Sequence, residues 1–481
     1  MPHRVRQPPG HRQWILALML GLPFPGLAWT GVEGGYDPSF ASGGRRLVGV
    51  SGGVDELVGM ALRPNRKIVL AGACTGVDGA GSPVSVPCVA ELSASGASTG
   101  FGVPAQPHGP GRWLLTDVQA LAPGEEWLHQ AFALDATGRL LLAGQRIASE
   151  NAAMLLRLAP DGRSLDGMFL RNNGAAESGA TYFAVAQDAN QRILLAGYLV
   201  RNGVRFSGMV TRLLPNLQPD TSFGSGGTVL LDEPNYNFLP QRLAVDSQGR
   251  IIVLSILDSV VLGVTDAFQV NRLLTNGSID GVFNGSGFLR ESDLPGVVPT
   301  ALAVDSQDRV LVAGSYVQPV ENDLDVFVAR LTAAGLYDNG IVPTPGFGAG
   351  IRGYEVENLV AVGPNERAAD IALQPDGKIV VIGRCQRLGV ERLQFLSMRL
   401  LDNADLDTSY GAGGVSVGSF EDAPAPGFDD IGVSLALDPI GALVIAGTGI
   451  SGAPFAAEDF GVARLFSTAA AGDVLFVDNF D

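Results

Sequence analysis

The stretch DPSFASGG, residues 37–44, stands near the start of the chain, although its relatives close repeated units further on. DTSFGSGG begins at Asp220 and DTSYGAGG at Asp407. The units they close are marked by seven copies of one phrase: ALRPNRKIVLAG ending at Gly72, ALDATGRLLLAG at Gly144, AQDANQRILLAG at Gly197, AVDSQGRIIVLS at Ser255, AVDSQDRVLVAG at Gly314, ALQPDGKIVVIG at Gly383 and ALDPIGALVIAG at Gly447. Successive copies lie 72, 53, 58, 59, 69 and 64 residues apart.

Each phrase reads as a β-hairpin. A short apolar strand meets a turn of the PDGK type, where Gly, Asn or Asp takes the positive φ that tight turns require. The following run, KIVVIG or RILLAG, is apolar on both faces, as a strand buried on two sides should be. A loop of variable length then leads to a third strand, VAEL, LLRL, VTRL, VNRL, SMRL or VARL. A second turn carries Asp-x-x-Phe/Tyr and a glycine pair into a short fourth strand. Four antiparallel strands in a unit of 50–70 residues is the pattern of a propeller blade. The seventh unit runs through DFGVARLFST and then lacks its fourth strand, which the opening stretch supplies. The expected fold is therefore all-β: a seven-bladed β-propeller of four antiparallel strands per blade, closed by an N-terminal strand that completes the last blade and leaves no open edge.

With the pattern ALQPDGKIVVIG…FLSMRLLDNADLDTSYGAGGVSV, the chain resembles the bacterial delta-60 repeat family over roughly residues 36–467. The resemblance implies a propeller-like fold and export, and brings no catalytic residues with it. The terminal VLFVDNFD is also similar to tails ending in Asp-Gly-Phe-Glu on exported proteins of some Gram-negative bacteria, with Asn479 and Asp481 in place of Gly and Glu.

The N-terminus reads as a signal peptide over residues 1–28. Arg4, Arg6 and Arg12 precede the apolar run WILALMLGL, too short to span a bilayer, and cleavage is expected after Ala28. Residues 29–467 form the propeller and 468–481 a C-terminal tail. The net charge of −17 becomes −20, 29 basic against 49 acidic residues, once the signal is removed. That sign repels phosphate backbones and anionic headgroups, so no nucleic acid and no membrane insertion of the mature chain are expected. An oxidising destination, whether periplasm, outer surface or medium, lets Cys74 and Cys88 pair across a Gly/Ser/Pro-rich loop, leaving Cys385 as a buried thiol.

The recurrent polar residue is the third-strand arginine. Arg157, Arg212, Arg272, Arg330, Arg399 and Arg464 are expected to pair with Asp166, Asp220, Asp280, Asp338, Asp407 and Asp37, because a guanidinium fork suits a carboxylate and buried charge needs a partner. The competing reading is a ring of arginines facing the channel. Glu91 and Thr99 replace both partners in the first unit, so the pair is expected to be absent there. The aromatics Phe40, Phe101, Phe169, Phe223, Phe283 and Tyr410 read as wedges between blades.

Catalytic signatures are thin. GASTG (96–100) matches a nucleophile elbow but falls in a strand-to-strand turn, and the chain beyond residue 28 holds only His108 and His129. No cysteine or histidine set suits zinc, and no Gly-rich loop between strand and helix suits a nucleotide. Calcium is the one cofactor with candidates, Glu321, Asp323 and Asp325 in ENDLD, Asp402 and Asp405 in DNADLD, and the acids of EDAPAPGFDD (421–430); none has the spacing of a known loop. The function expected is a monomeric binding or scaffolding module that recognises a protein or glycan through its variable loops, with 73–86, 256–266 and 315–324 the longest. The alternative is a propeller enzyme, a metal-assisted hydrolase or lactonase acting in the central channel.

Overall fold

The computed structural model describes residues 33–102, 111–117, 122–148, 151–171, 173–174, 177–203, 205–260, 265–294, 296–317, 323–338, 340–341, 344–345, 354–357, 365–386, 393–421, 429–439, 441–451 and 457–467. Seven antiparallel four-stranded sheets and one two-stranded ribbon make it up, and each four-stranded sheet has its strands in sequence order except the last. That last sheet holds Ile431–Leu437, Leu443–Ser451 and Ala457–Leu465 from the end of the chain and Arg45–Val48 from its beginning. The register runs from Arg45 opposite Ala463 to Val48 opposite Phe460. The chain is a seven-bladed β-propeller closed by its own N-terminal strand.

The first strands of successive blades contact one another around the ring, and blade 1 (first strand Asp55–Leu62) meets blade 7 in the same way. They form the inner wall. Second strands such as Ile379–Gln386 are buried along most of their length, and the apolar clusters run between blades rather than within them. First-to-second and third-to-fourth turns fall on one side of the ring, called here the turn face. Second-to-third loops and fourth-to-first connections fall on the other, the loop face.

The repeat glycine has a steric cause. Every first strand carries a β-bulge at one place, between Leu57 and Gly59, His129 and Ala131, Tyr182 and Ala184, Pro240 and Arg242, Pro299 and Ala301, Ala368 and Asp370, and Gly432 and Ser434. The residue before each bulge pairs with the last residue of the repeated phrase, as Ala368 does with Gly383. A Cβ on Gly383 would lie 1.7 Å from the Arg367 carbonyl oxygen, and one on Gly144 or Gly197 2.0 Å from the equivalent oxygen. A bulge brings one backbone against another, and in six blades glycine leaves the room. Blade 4 alone has a side chain here, the buried Ser255, opposite Pro240.

Two blades depart from the expected turn. In blade 2 the fourth strand, Leu165–Leu170, follows directly after the third-strand turn, so Phe169 lies within it and is only half-buried. It packs against its cluster from the side rather than as a buried wedge. In blade 5 a short ribbon pairing Gly340–Ile341 with Thr344–Pro345 precedes the fourth strand Tyr354–Glu357.

Candidate functional site

The turn face is a network of charged latches. Arg212 Nε donates to Asp220 at 2.9 Å, Arg272 to Asp280 at 2.8 Å, Arg330 to Asp338 at 2.7 Å, Arg399 to Asp407 at 2.8 Å, Arg464 to Asp37 at 2.7 Å and Arg157 to Asp166 at 2.8 Å. These arginines lie within the turn network and not along the inner wall. Burial pushes the Asp220 carboxyl up, but hydrogen bonds from Ser222 and the Arg212 charge more than offset it, leaving it below the usual range. Asp37 and Asp407 are lowered against the same burial, by Ser39 and Arg464 and by Ser409, Lys378 and Arg399.

Each latch also reaches the next blade. Arg272 Nη1 donates to the Ala333 carbonyl at 2.5 Å, Arg464 Nη1 to Ala94 at 2.6 Å, Arg157 Nη1 to Pro215 at 2.6 Å, and Arg212 to Thr275. The guanidinium of Arg272 lies over Phe283 at 4.6 Å and that of Arg399 over Tyr410 at 4.8 Å, which adds a cation–π contact. The aromatics in turn abut glycines of the neighbouring turn: Phe283 against Gly335, Phe223 against Gly277, Phe40 against Gly96, Phe101 against Gly162. Asp-x-x-Phe therefore joins blades as well as closing a turn. At blade 7 the N-terminal segment replaces the missing turn, with Glu33 taking Arg399 and Gly34 lying against Tyr410.

Blade 1 corrects one expectation. Its pair is inverted rather than absent: Glu91 accepts from Arg63 at 2.7 Å, Lys67 at 2.8 Å and Thr99 at 2.8 Å. Arg63 then donates to the Pro160 carbonyl of blade 2 at 2.6 Å, so the bridge between blades is kept by an arginine from another turn.

The calcium candidates separate. Asp402 and Asp405 lie on the turn face, where Asp402 accepts from Arg330 at 2.6 Å and Asp405 from Asn403 at 2.7 Å. The Asp402 oxygen serves a latch, and the Asp405 oxygen serves its own turn. Asp323 and Asp325 lie on the loop face, and Glu321 lies outside the described residues. Within 421–430, Asp430 accepts from Phe420 N–H at 3.2 Å and Asp429 from Leu393 N–H at 2.7 Å. Among the described residues no three His, Cys, Asp or Glu side chains are gathered to hold a metal ion. Cys74 and Cys88 form a disulfide, Cα atoms 5.8 Å apart, across the second-to-third hairpin of blade 1; Cys385 is buried. Ser98 sits in a turn and accepts from Arg46 at 3.1 Å. His129 is buried in the inner wall of blade 2, where burial holds it down to about 3, and His108 lies outside the described residues.

What the motifs did not reveal is a run of buried acids between blades on the loop face. Two residues before each bulge partner, within the first strand or immediately before it, stand Asp55, Trp127, Ala180, Phe238, Val297, Glu366 and Asp430, all buried. The matching third-strand position of the preceding blade holds Asp459, Val86, Ala152, Ser207, Ala267, Asp325 and Gln394, also buried. Acid meets acid at two junctions, Asp325 with Glu366 and Asp459 with Asp55. Burial and then the Asp325 and Asp323 charges push Glu366 up to about 7. Asp55 is raised by burial and by Asp459, although Val50 N–H at 2.5 Å and Ser51 cap it. Outside that pair, Glu458 is raised by burial and by the nearby Glu56. Blades 2 to 4 instead pair their acids on this side: Arg171 with Glu177 at 2.6 Å, Arg201 with Asp232 at 3.2 Å, Arg290 with Glu233 at 2.9 Å. The repeated phrases could have exposed this pattern had the residues preceding them been aligned as well.

No family model matches the chain, and no curated protein matches it. Among solved structures it is similar to a catalytically inactive virginiamycin B lyase from Staphylococcus aureus with quinupristin, at 11% identity over 88% of this chain and 99% of that one, TM-score 0.39. It is also similar to a polysaccharide lyase, at 8% identity over 85% and 89%, TM-score 0.46. A protein of unknown function from Dyadobacter fermentans aligns at 15% identity over 72% and 96%, TM-score 0.41. At these values none of them bears on what this chain does.

Proposed function

We propose that the chain is an exported, monomeric binding or scaffolding module of the delta-60 repeat type, taking a protein or glycan partner on its loop face. The observation that carries this reading is the contrast in hairpin length. From the bulge partner to the end of the repeated phrase is 15 positions in all seven blades, as from Ala368 to Gly383. From there to the partner on the third strand ranges from 10 positions, Gly144 to Met154, to 16, Gly72 to Cys88. Variable loops on a constant frame are how repeat scaffolds build binding surfaces. The disulfide supports an oxidising destination. The bulged residues of the inner wall, Val58, Gln130, Phe183, Gln241, Thr300, Ala369 and Val433, offer no acid or base, which favours binding over the channel-enzyme alternative.

The test is a glycan array and an envelope-protein panel probed with the purified protein, beside a variant whose blade 1 loop 78–82 is cut to two glycines. Binding that fails only in the loop variant supports the reading. Turnover of a lactone or glycan substrate, abolished by substitutions at Gln130 and Gln241, would replace it with the enzyme.

A further inference from the structure

We propose that the blade 5–6 junction on the loop face binds one hard divalent cation of the calcium class, through the carboxylates of Glu366 and Asp323 with Asp325 beside them. The inference does not depend on the binding-module reading. Glu366 is 1% exposed, and its Oε1 is buried with no hydrogen-bond partner. Asp323 Oδ1 is buried in the same condition. The two are brought together by the backbone: Glu366 N–H donates to the Leu324 carbonyl at 2.9 Å, fixing the glutamate beside the residue that separates the two aspartates. A buried carboxylate with an open oxygen calls for a cation or a proton, and here the one favourable backbone hydrogen bond is outweighed by burial.

Position matters, because the same place in other blades does not need a cation. Asp430 is capped by Phe420 N–H, and its third-strand neighbour is the neutral Gln394. Asp55 is capped by Val50 and Ser51. Among the described residues, the blade 5–6 junction is where two neighbouring acids, Glu366 and Asp323, each keep an open buried oxygen. The side chains are not gathered as a finished three-ligand cage. Calcium tolerates that, since it draws six to eight oxygens from carboxylates, backbone carbonyls and water in flexible geometry.

A proton is the competitor. Burial, and after it the Asp325 and Asp323 charges, push the Glu366 carboxyl up to about 7. From blade 5 it is faced by Asp323 and Asp325, with Tyr316 opposite the latter. On its own blade the neighbouring cation is Arg367, paired in register with Arg384. Ionisation of Glu366 weakens the empty junction as pH rises through about 7, and a bound cation removes that loss, so the stabilisation by calcium grows with pH.

The experiment titrates chelator-treated full chain with calcium chloride by calorimetry and repeats thermal melts at pH 5.5 and 8, for wild type, Glu366→Gln and Asp323→Asn. The expected result is one calcium per chain, a rise in Tm that is larger at pH 8, and affinity at least tenfold weaker in each variant. Glu366→Gln should melt at or above wild type without calcium at pH 8, which separates lost binding from lost folding. No saturable binding, or binding unchanged in both variants, overturns the proposal. Stabilisation by Glu366→Gln with no response of wild type to calcium makes the junction a proton site alone and overturns it equally.

Discussion

The two faces of the ring use the same residue types to opposite ends. On the turn face almost every aspartate has its arginine, and each arginine goes on to hold the next blade. On the loop face of blades 5, 6, 7 and 1, acids are set against acids. The turn face repeats because every junction between blades has to be bridged, and the Arg–Asp–Phe latch is the bridge most of them share. The loop face is released from that demand and can hold charge that does nothing for the fold.

The largest way to break the comparison is at a latch. Arg272→Met leaves Asp280 buried without its partner and the Ala333 carbonyl without its donor. A loss of about 3–5 kcal/mol is expected in urea unfolding, the usual cost of removing one member of a buried pair. An effect under about 1 kcal/mol would place the latch among ordinary surface pairs. Next comes the bulge. Gly383→Ala puts a methyl group onto the Arg367 carbonyl and should cost about 3 kcal/mol through forced backbone movement, whereas Ser255→Gly, at the one blade that already accommodates a side chain, should cost far less. The loop-face hairpin is held by a different device. Replacing Cys74 and Cys88 together with serine should lower stability by about 2–3 kcal/mol in thermal melts without touching the latches.

A pH-dependent effect, negligible at neutral pH, lies between the faces, in the inner wall. His129 is buried and neutral, so its folded pKa of about 3 lies below the unfolded value near 6.5. The stability it contributes is present above pH 6.5 and is lost as pH falls, at up to about 1.4 kcal/mol per pH unit. A His129 NMR signal that does not titrate between pH 7 and 4.5 is the expected observation; a midpoint near 6.5 would put the ring in water.

The fold was legible because its signals are periodic. The phrase ending in KIVVIG reports a buried second strand. DPSFASGG at residue 37 reports the closing strand, since a fourth strand that precedes every first strand has its natural place in the one unit that lacks a fourth. The arginine–aspartate spacing brought the right partners together, but a spacing within one unit contains nothing of the neighbouring unit. The donation from each arginine to the next blade was therefore invisible, and so was the inverted pair at Glu91, whose partner Arg63 stands at a turn position held by Asp135, Asp188, Asp246, Asp305, Gln374 and Asp438 in the other blades. Glu366 was missed for a related reason: its chemistry comes from Asp323 and Asp325, some forty positions away and adjacent only once blades 5 and 6 pack. DNADLD looked like the equal of ENDLD as a cluster of oxygens, yet its Asp402 is taken by Arg330.

The most direct test makes one chemical change on both faces. Asp220→Asn and Glu366→Gln each turn a buried acid into its amide, and their unfolding midpoints are to be compared with wild type at pH 8 in chelator. Asp220 has a lowered pKa, so its charge stabilises the fold and the amide should lower the midpoint; Glu366 has a raised one, so the amide should raise it. Opposite signs are the expected result. Two losses of similar size would mean that the loop-face acids hold the ring together as the latches do, and would contradict the division between the faces.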